Sequence, residues 1–171
     1  MRKEKTGGKR KKLVWTMVAL ALVAIIALAI VYVNVTSALN SALRNSLNTF
    51  ALATVAYTPA TDGTVDMNIS LSLGNPTAYV LKVTGITLSF RVNGEYIGSL
   101  TVMPDQDLSS GENVSFNFVR HVTDEEVLTT LQNQTYNLGL KGKIGASASY
   151  LFVDAHWDRD IDYIGVVPGI S

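Results

Sequence analysis

The sequence predicts an all-β fold: an antiparallel β-sandwich with one short helix, preceded by a single transmembrane α-helix. An uncharged apolar run, residues 13–33, lies near the start of the chain and predicts the membrane helix. From Thr64 onward, hydrophobic residues alternate with polar ones, which is typical of strands that bury one face. About six such segments, separated by turn signals, indicate a sandwich rather than a helical domain.

The composition excludes several classes of protein. A chain of 171 residues accommodates one domain of ordinary size plus appendages. Because cysteine is absent, disulfides, thiolate metal sites and cysteine nucleophiles are excluded. Only His121 and His156 are available, and neither lies in a G-x-S-x-G, S-x-x-K or phosphate-loop context. We therefore expect a protein that is not an enzyme and uses no cofactor.

Residues 13–33 are predicted to cross a membrane. These 21 residues contain no charge and span roughly 31 Å as a helix, which matches the hydrocarbon core of a bilayer. Trp15 and Tyr32 lie near the two ends, where amphipathic rings favour the headgroup layer. A cleaved secretory signal is the alternative, but its apolar region usually spans about 7–15 residues. We expect the segment to remain as an anchor.

The charges are divided between the two ends of the chain. Residues 1–12 contain seven basic side chains and one acidic side chain, a net charge of +6, so the remaining residues have −6. Positive charge beside a spanning helix stays in the cytoplasm, so the C-terminal domain is expected outside it, at the cell membrane. The lipid bilayer is the expected partner, with protein association or self-association through the helix also open. No nucleic-acid partner is expected, because no aromatic residue is interleaved with the basic ones.

Residues 34–62 are interpreted as a stalk or linker. Apolar residues recur there at helical spacing, so the membrane helix continuing outward is one interpretation. A flexible linker is the other, because serine and asparagine are poor helix formers. The apolar stripe consists of Val35, Leu39, Leu43, Leu47 and Phe50.

The first strands are predicted from alternation and turn residues. Residues 65–73 alternate without exception and form the first strand. The second strand covers residues 79–92, and its parity changes at Gly85, which predicts a bulge because glycine tolerates one. Asn93 and Gly94 predict a type I′ turn leading into a third strand, residues 95–102.

The remaining elements complete a predicted sandwich domain over residues 63–157. A strand covers residues 114–118, and Thr123 and Glu126 form a capping box that starts a short helix. Residues 136–140 and 144–152 are predicted as two further strands. Residues 158–171 are interpreted as a C-terminal tail.

Five residues near the C-terminus are weak candidates for a metal site. Asp154, His156, Asp158, Asp160 and Asp162 alternate, so in an extended strand they share one face and offer oxygen ligands to a hard cation such as calcium. The glycine and distal glutamate of an EF-hand loop do not follow them. A solvated edge strand or tail explains the pattern better, so no metal is expected.

Four asparagines begin N-x-[ST] sequons, which are compatible with glycosylation in an exported domain. They are Asn34, Asn68, Asn113 and Asn133.

Several segments together resemble the water-stress-and-hypersensitive-response (WHy) domain of late embryogenesis abundant (LEA) group 2 proteins. They are VDMNISLSL followed by Asn75-Pro76, the strand that ends in Asn93-Gly94, and YNLGLKGKIGA with Gly142. The resemblance covers about half of the chain. It implies a seven-stranded immunoglobulin- or fibronectin-like sandwich, often behind a membrane anchor, with a role in stress and desiccation tolerance and no catalytic residues. The usual Asn-Pro-Asn of the family is here Asn75-Pro76-Thr77.

The expected function is that of a membrane-anchored, non-enzymatic sandwich with a stress-protective or binding role at the cell surface. The alternative is a pilin-like structural subunit that polymerises through its N-terminal helix. A pilin-like peptidase generally needs glycine or alanine just before the apolar helix, and Lys11-Lys12 occupies that place.

Overall fold

The computed structural model describes residues 6–60, 63–132 and 135–170, with side chains from Lys12 onward. The basic side chains of residues 1–11 and the sequon residue Asn133 lie outside the described part. Within these described residues, two helices and eight strands follow one another. They are α1 (Thr6–Leu47), β1 (Ala51–Pro59), β2 (Val65–Gly74), β3 (Leu81–Val92), β4 (Glu95–Val102), β5 (Gln106–Leu108), β6 (Asn113–Val122), α2 (Glu125–Leu131), β7 (Thr135–Tyr150) and β8 (Val153–Pro168).

The chain divides into two compact units, Met1–Ala38 and Leu39–Ser171. In the first unit the structure describes one helical segment, and its side chains from Lys12 to Asn34 are all exposed. The second unit contains the last turns of α1, all the strands and α2.

The strands form two antiparallel sheets, which confirms the predicted sandwich fold. One sheet has three strands in the order β1-β2-β6. The other has five, in the order β4-β3-β7-β8, with β5 paired to the start of β3. Every described strand pair is antiparallel. Hairpins join β1 to β2, β3 to β4 and β7 to β8, whereas the chain changes sheet between β2 and β3, between β5 and β6 and again, through α2, between β6 and β7.

The core is built from alternate residues of the central strands. Met67, Ile69, Leu71 and Leu73 of β2 are almost completely buried, and the polar residues between them are half exposed. The stripe at the end of α1 is buried in the same unit, through Leu39, Leu43, Leu47 and Phe50. Helix α1 contains Val35, Leu39, Leu43 and Leu47, so the helical interpretation of the stripe is confirmed for its first four positions, and Phe50 lies beyond the end of the helix.

Two local predictions from glycine and asparagine are also confirmed. The register of β3 against β7 shifts between Val83 and Gly85, as expected for a bulge. Asn93 and Gly94 have φ values of 47° and 91°, and this pair of positive angles produces the tight turn between β3 and β4.

The stalk interpretation of residues 34–62 differs from the structure. Helix α1 continues to Leu47, and Ala51–Pro59 forms β1, which pairs with β2 along most of its length. The sequence lacks alternation here because β1 is an edge strand whose residues are exposed or half exposed on both faces. The period of two disappears when neither face is fully buried.

The C-terminal tail also differs from the structure, because residues 158–168 belong to β8. This strand pairs with β7 over sixteen residue pairs, from Tyr150 and Val153 to Thr135 and Pro168. The two strands predicted over residues 136–152 are one continuous strand, β7. The compact unit therefore extends beyond the predicted domain of residues 63–157 at both ends.

The N-cap of α2 differs from the prediction, in which Thr123 caps the helix together with Glu126. The N-cap of α2 is Asp124, whose carboxylate accepts hydrogen bonds from the backbone N–H groups of Glu126 and Val127. Aspartate at this position also lies favourably at the positive end of the helix dipole.

Candidate functional site

The apolar part of α1 is the largest exposed hydrophobic surface that the structure describes. From Leu13 to Val33, the exposed fraction of the large hydrophobic side chains runs from 40% at Val31 to 73% at Trp15. The stretch Lys12–Leu47 is long and apolar enough to cross a membrane, by length and composition. A core helix of a soluble protein buries most of such a surface, whereas none of the most apolar window is buried here.

Two threonines of α1 hydrogen-bond to carbonyl groups of the same helix. The Thr16 hydroxyl donates to the Lys12 carbonyl at 2.9 Å, and the Thr36 hydroxyl donates to the Tyr32 carbonyl at 2.8 Å. Bonds of this kind let a threonine face lipid without an unpaired donor. Trp15 and Tyr32 are both exposed, and their placement in the headgroup layers stays a prediction.

The five candidate ligands near the C-terminus lie in a line along β8. Asp154, His156, Asp158, Asp160 and Asp162 are all exposed, on alternate positions of the strand. Alternate residues of a strand are about 7 Å apart, so a row of five does not converge on one ion. Within the described residues, no group of three or more histidine or acidic side chains is placed to hold a metal.

Three of these side chains take part in two ion pairs instead. His156 Nε2 lies 3.0 Å from Asp158 Oδ1, and Asp160 Oδ1 lies 3.8 Å from Lys143 Nζ on the neighbouring strand. Both pairs are exposed. A charged face of this kind discourages another strand from pairing with the edge of the sheet.

Asn75 joins three segments of the sandwich through its buried side chain. Its amide group donates to the carbonyls of Tyr79 at 2.7 Å and Leu108 at 2.8 Å. Its side-chain oxygen accepts hydrogen bonds from the Ser46 hydroxyl of α1 and from Thr77. Both donors and the acceptor are used, and Asn75 is only 1% exposed. The Asn75-Pro76 turn therefore has a structural role that its residue types alone do not show.

The other motif glycines and asparagines are also explained by packing. The Asn93 side chain accepts a hydrogen bond from the Asn137 backbone N–H at 2.8 Å, which fixes the β3–β4 turn against β7. At Gly142, a Cβ atom would overlap the carbonyl oxygen of Thr87 and lie 2.9 Å from the Cα of Leu88. Only glycine lets β3 and β7 approach so closely at that point.

A polar cavity of about 290 Å³ lies at one end of the second unit. The polar side chains of Arg120, His121, Asp124 and Glu95 line it together with Tyr96. His121 Nδ1 lies 2.7 Å from Asp66 Oδ1. This lining suits a small polar molecule better than an apolar one.

A contact between two tyrosines, which no sequence pattern predicts, links β1 to β7 and β8. The Tyr136 hydroxyl bonds to the Tyr57 hydroxyl, which donates to the Pro168 carbonyl at 3.0 Å. Burial raises the pKa of both phenols above the usual value of 10.0, and the hydrogen bond to Tyr57 raises the pKa of Tyr136 further. Because Tyr57 and Tyr136 are 79 residues apart, local sequence patterns contain no signal for this pair.

Two of the described sequon asparagines, Asn34 and Asn113, are exposed, and Asn68 is half buried. The Asn68 amide lies 3.4 Å from the Thr58 hydroxyl.

Comparisons with known proteins give likenesses to solved structures only. No protein-family profile matches the chain, and no curated protein matches it. A structure from Arabidopsis thaliana has a TM-score of 0.49 at 15% identity, covering 70% of this chain and 80% of that chain. A Northeast Structural Genomics Consortium target has a TM-score of 0.47 at 8% identity, covering 71% and 87%. A putative late embryogenesis abundant protein has a TM-score of 0.42 at 14% identity, covering 82% and 89%. At these values none of them assigns a family or a function to this chain.

Proposed function

We propose that this chain is a single-pass membrane protein that displays a non-enzymatic β-sandwich at the membrane surface. The observation that carries the proposal is the uniform exposure of apolar side chains on every face of α1 between Leu13 and Val33. Exposed apolar area costs about 25 cal/mol per Å² in water, and a helix that is apolar all round is typical of a membrane span.

The proposed orientation places the N-terminus in the cytoplasm and the sandwich outside it, at the cell membrane. The support is the charge distribution, with a net charge of +6 in residues 1–12. Between the span and β1, Arg44 is the single charged residue, so little positive charge opposes this orientation.

The proposed role of the sandwich is protection under stress and drying, or binding at the cell surface. The support is the sequence resemblance to the WHy domain, carried by Asn75-Pro76, Asn93-Gly94 and Gly142. Because those residues shape turns and close strand contacts, they support a shared scaffold. They contribute no reactive group.

Extraction and topology mapping test the anchor. We expect the full-length protein to stay with the membrane pellet after an alkaline carbonate wash. A tag after Ser171 should be accessible to protease in intact cells, whereas a tag before Met1 should be protected. Release of the intact chain into the supernatant would overturn the proposal. Mass spectrometry of the mature N-terminus identifies a cleaved signal, and filaments in electron micrographs would favour the pilin-like alternative.

Drying tests the protective role. Liposomes that contain the full-length protein should retain a trapped dye through drying and rehydration better than liposomes that contain an unrelated sandwich on the same α1 segment. Equal dye loss from the two preparations would remove the protective role and leave the anchor unaffected.

A further inference from the structure

The tip of the β7–β8 hairpin exposes a small apolar surface far along the chain from α1. Leu151 is 71% exposed, Phe152 is 58% exposed and Tyr150 is 49% exposed. Val80, beside the start of β3, is 56% exposed. No residue from Ser149 to Val153 is charged. We call residues 150–152 the hairpin tip.

The turn at the hairpin tip uses a residue that is poorly suited to it. Tyr150 and Val153 are paired, so Leu151 and Phe152 form a two-residue turn in which Leu151 has a φ of 57°. Glycine or asparagine adopts this conformation at little cost, and the opposite end of β3 uses Asn93-Gly94 for its turn. A bulky side chain with positive φ is strained. The strained residue, Leu151, also exposes its apolar side chain to solvent. Backbone strain of this kind is common at functional sites.

The hairpin tip is linked by side-chain contacts to the residues of α1 that belong to the second unit. The rings of Tyr150 and Tyr79 pack edge to face, with centroids 5.7 Å apart. The carbonyl of Tyr79 accepts a hydrogen bond from Asn75, whose side-chain oxygen accepts one from Ser46 of α1. Tyr150 is therefore connected through two residues to the part of α1 that belongs to the second unit.

The length of chain between the apolar run and that part of α1 is short. Five residues separate Val33 from Leu39, the first residue of the second unit. They span about 9 Å as a helix and about 21 Å if fully extended. With residues 13–33 in a bilayer, the second unit therefore begins within reach of the headgroup layer.

We propose that the hairpin tip inserts into the headgroup layer of the bilayer that α1 crosses. The inference rests on the proposed anchor. The occupant we assign is lipid rather than protein, because a stable protein interface needs about 800 Å² from each partner, more than three side chains and Val80 supply. Tyrosine and phenylalanine next to leucine suit a layer that is apolar on one side and wet on the other. Since the hairpin tip is uncharged, its insertion does not require anionic lipid.

Depth measurements on single labels test the inference, and the chain suits them because it contains no cysteine. The full-length protein is reconstituted in phosphatidylcholine vesicles that contain a lipid-borne quencher. An environment-sensitive fluorophore is attached at F152C as the reporter, at L22C within the apolar run, and at E95C at the opposite end of the sandwich. We expect strong quenching at L22C, several-fold stronger quenching at F152C than at E95C, and no change on adding anionic lipid.

A second substitution separates insertion from folding. Leu151→Asn suits the positive φ, so the thermal midpoint should stay the same or rise, while quenching of the F152C label falls several-fold. The matched control is Ile164→Asn, because Ile164 is 75% exposed on β8 and lies outside the hairpin tip. That control should leave quenching of the F152C label unchanged.

The possible failures are distinguishable. An unquenched F152C label beside a quenched L22C label would overturn the inference and leave the anchor in place. An unquenched L22C label would overturn the anchor. Equal quenching at F152C and E95C would also contradict insertion through the hairpin tip. The emission of the F152C label could instead shift to shorter wavelength as the protein concentration rises, with no effect of the quencher. That result would overturn insertion and show that the hairpin tip contacts a second copy of the chain.

Discussion

Asn75 shows how much one buried side chain contributes to this fold. Asn75→Asp keeps the size of the side chain but removes both donors to Tyr79 and Leu108, and it places a carboxylate beside their carbonyl oxygens. Each buried polar group left unpaired costs about 1–3 kcal/mol. We therefore expect a loss of about 3 kcal/mol or more in the free energy of unfolding, measured by urea denaturation in detergent micelles. The control is Asn117→Asp on the exposed face of β6, and an equal loss there would contradict the assignment.

Gly142 affects the sandwich through steric contact rather than through hydrogen bonds. Gly142→Ala introduces a Cβ that overlaps the backbone of Thr87, and backbone moves less readily than the end of a side chain. We expect a loss of about 2–3 kcal/mol, as for other overpacked sites. Gly139→Ala, in the same strand, meets only the Cβ of Arg91 at 3.4 Å and the carbonyl of Arg91 at 3.8 Å. Similar unfolding midpoints for the two variants would show that the close approach at Gly142 is not required.

The sequence predicts these residues as turn or motif positions, but not what they contact. Asparagine before proline indicates a turn because of its own backbone preferences. The partners Leu108 and Ser46 lie 33 and 29 residues away from Asn75, so only the folded chain brings them together. The Asn93-Gly94 turn is predictable in full, because the positive φ angles that it needs are a property of those two residues.

At the level of elements, β8 provides a test of whether the end of the chain belongs to the fold. Val167 is 6% exposed, whereas its neighbour Val166 is 71% exposed, as expected for alternating faces of a strand. Val167→Asp should cost about 3 kcal/mol or more, because it buries a charge without a partner. Val166→Asp should change stability by about 0.5 kcal/mol or less. Equal effects, measured by thermal unfolding, would indicate that the last residues are a tail.

The tyrosine contact between β1 and β7 makes the fold sensitive to alkaline pH. A phenol with a raised pKa keeps its proton in the folded state after the unfolded chain has lost it. The stabilisation is therefore fully present below the unfolded pKa of about 10 and decreases as the pH rises above it. Desolvation is the main cause for both tyrosines, so we expect the unfolding midpoint in urea to be constant from pH 7 to 9 and to fall at higher pH.

Tyr136→Phe separates the contribution of the hydrogen bond to stability from the contribution of burying the ring. The variant should lose about 1 kcal/mol at pH 7, because one hydrogen bond is removed. Its further loss of stability above pH 10 should be smaller than that of the natural chain, with Tyr57 still titrating. Tyr96→Phe is the control, since Tyr96 is 55% exposed. An unchanged alkaline slope in Tyr136→Phe would contradict the assignment of the pH dependence to this pair.

The elements that the sequence predicts well are those with one buried face. The alternation of β2 from Val65 to Leu73 is reproduced residue by residue in its burial. In contrast, β1 has no buried residue on either face. Strand β8 has an incomplete buried face, because only Val153, Ala155, Ile161 and Val167 are buried along its sixteen residues. Backbone hydrogen bonds hold β1 against β2 and β8 against β7. Side-chain patterns contribute little to such pairing. Arg159, which donates to the Leu47 carbonyl at the end of α1, adds a link that no local pattern predicts.

For the whole molecule, the division of charge is the property that distinguishes one orientation from the other. Residues 1–12 precede the apolar run with a net charge of +6, and the sequence from Asn34 to Ala60 contains Arg44 as its single charged residue. The bias is therefore concentrated in a short segment beside the span, where basic residues have the greatest influence on topology. The charges of the sandwich itself are far from the span in the sequence and mostly acidic, and acidic residues contribute little.

Neutralising the end of the basic segment should weaken this orientation. Replacing Lys9, Arg10, Lys11 and Lys12 by glutamine leaves three basic residues and Glu4 before the span, so we expect a mixed population instead of a nearly uniform one. The exposed sequon at Asn113 is a topology reporter, because only chains whose sandwich enters the lumen of microsomes are glycosylated there.

The control for this prediction removes positive charge far from the span in the sequence. Lys141→Gln and Lys143→Gln remove positive charge from β7 without touching the segment beside the span. Glycosylation and protease protection should then stay as in the natural chain. The variant with four glutamines could be glycosylated as fully as the control. The orientation would then be set by the apolar helix or by the sandwich, without the basic segment. The extracytoplasmic placement would then need another physical cause.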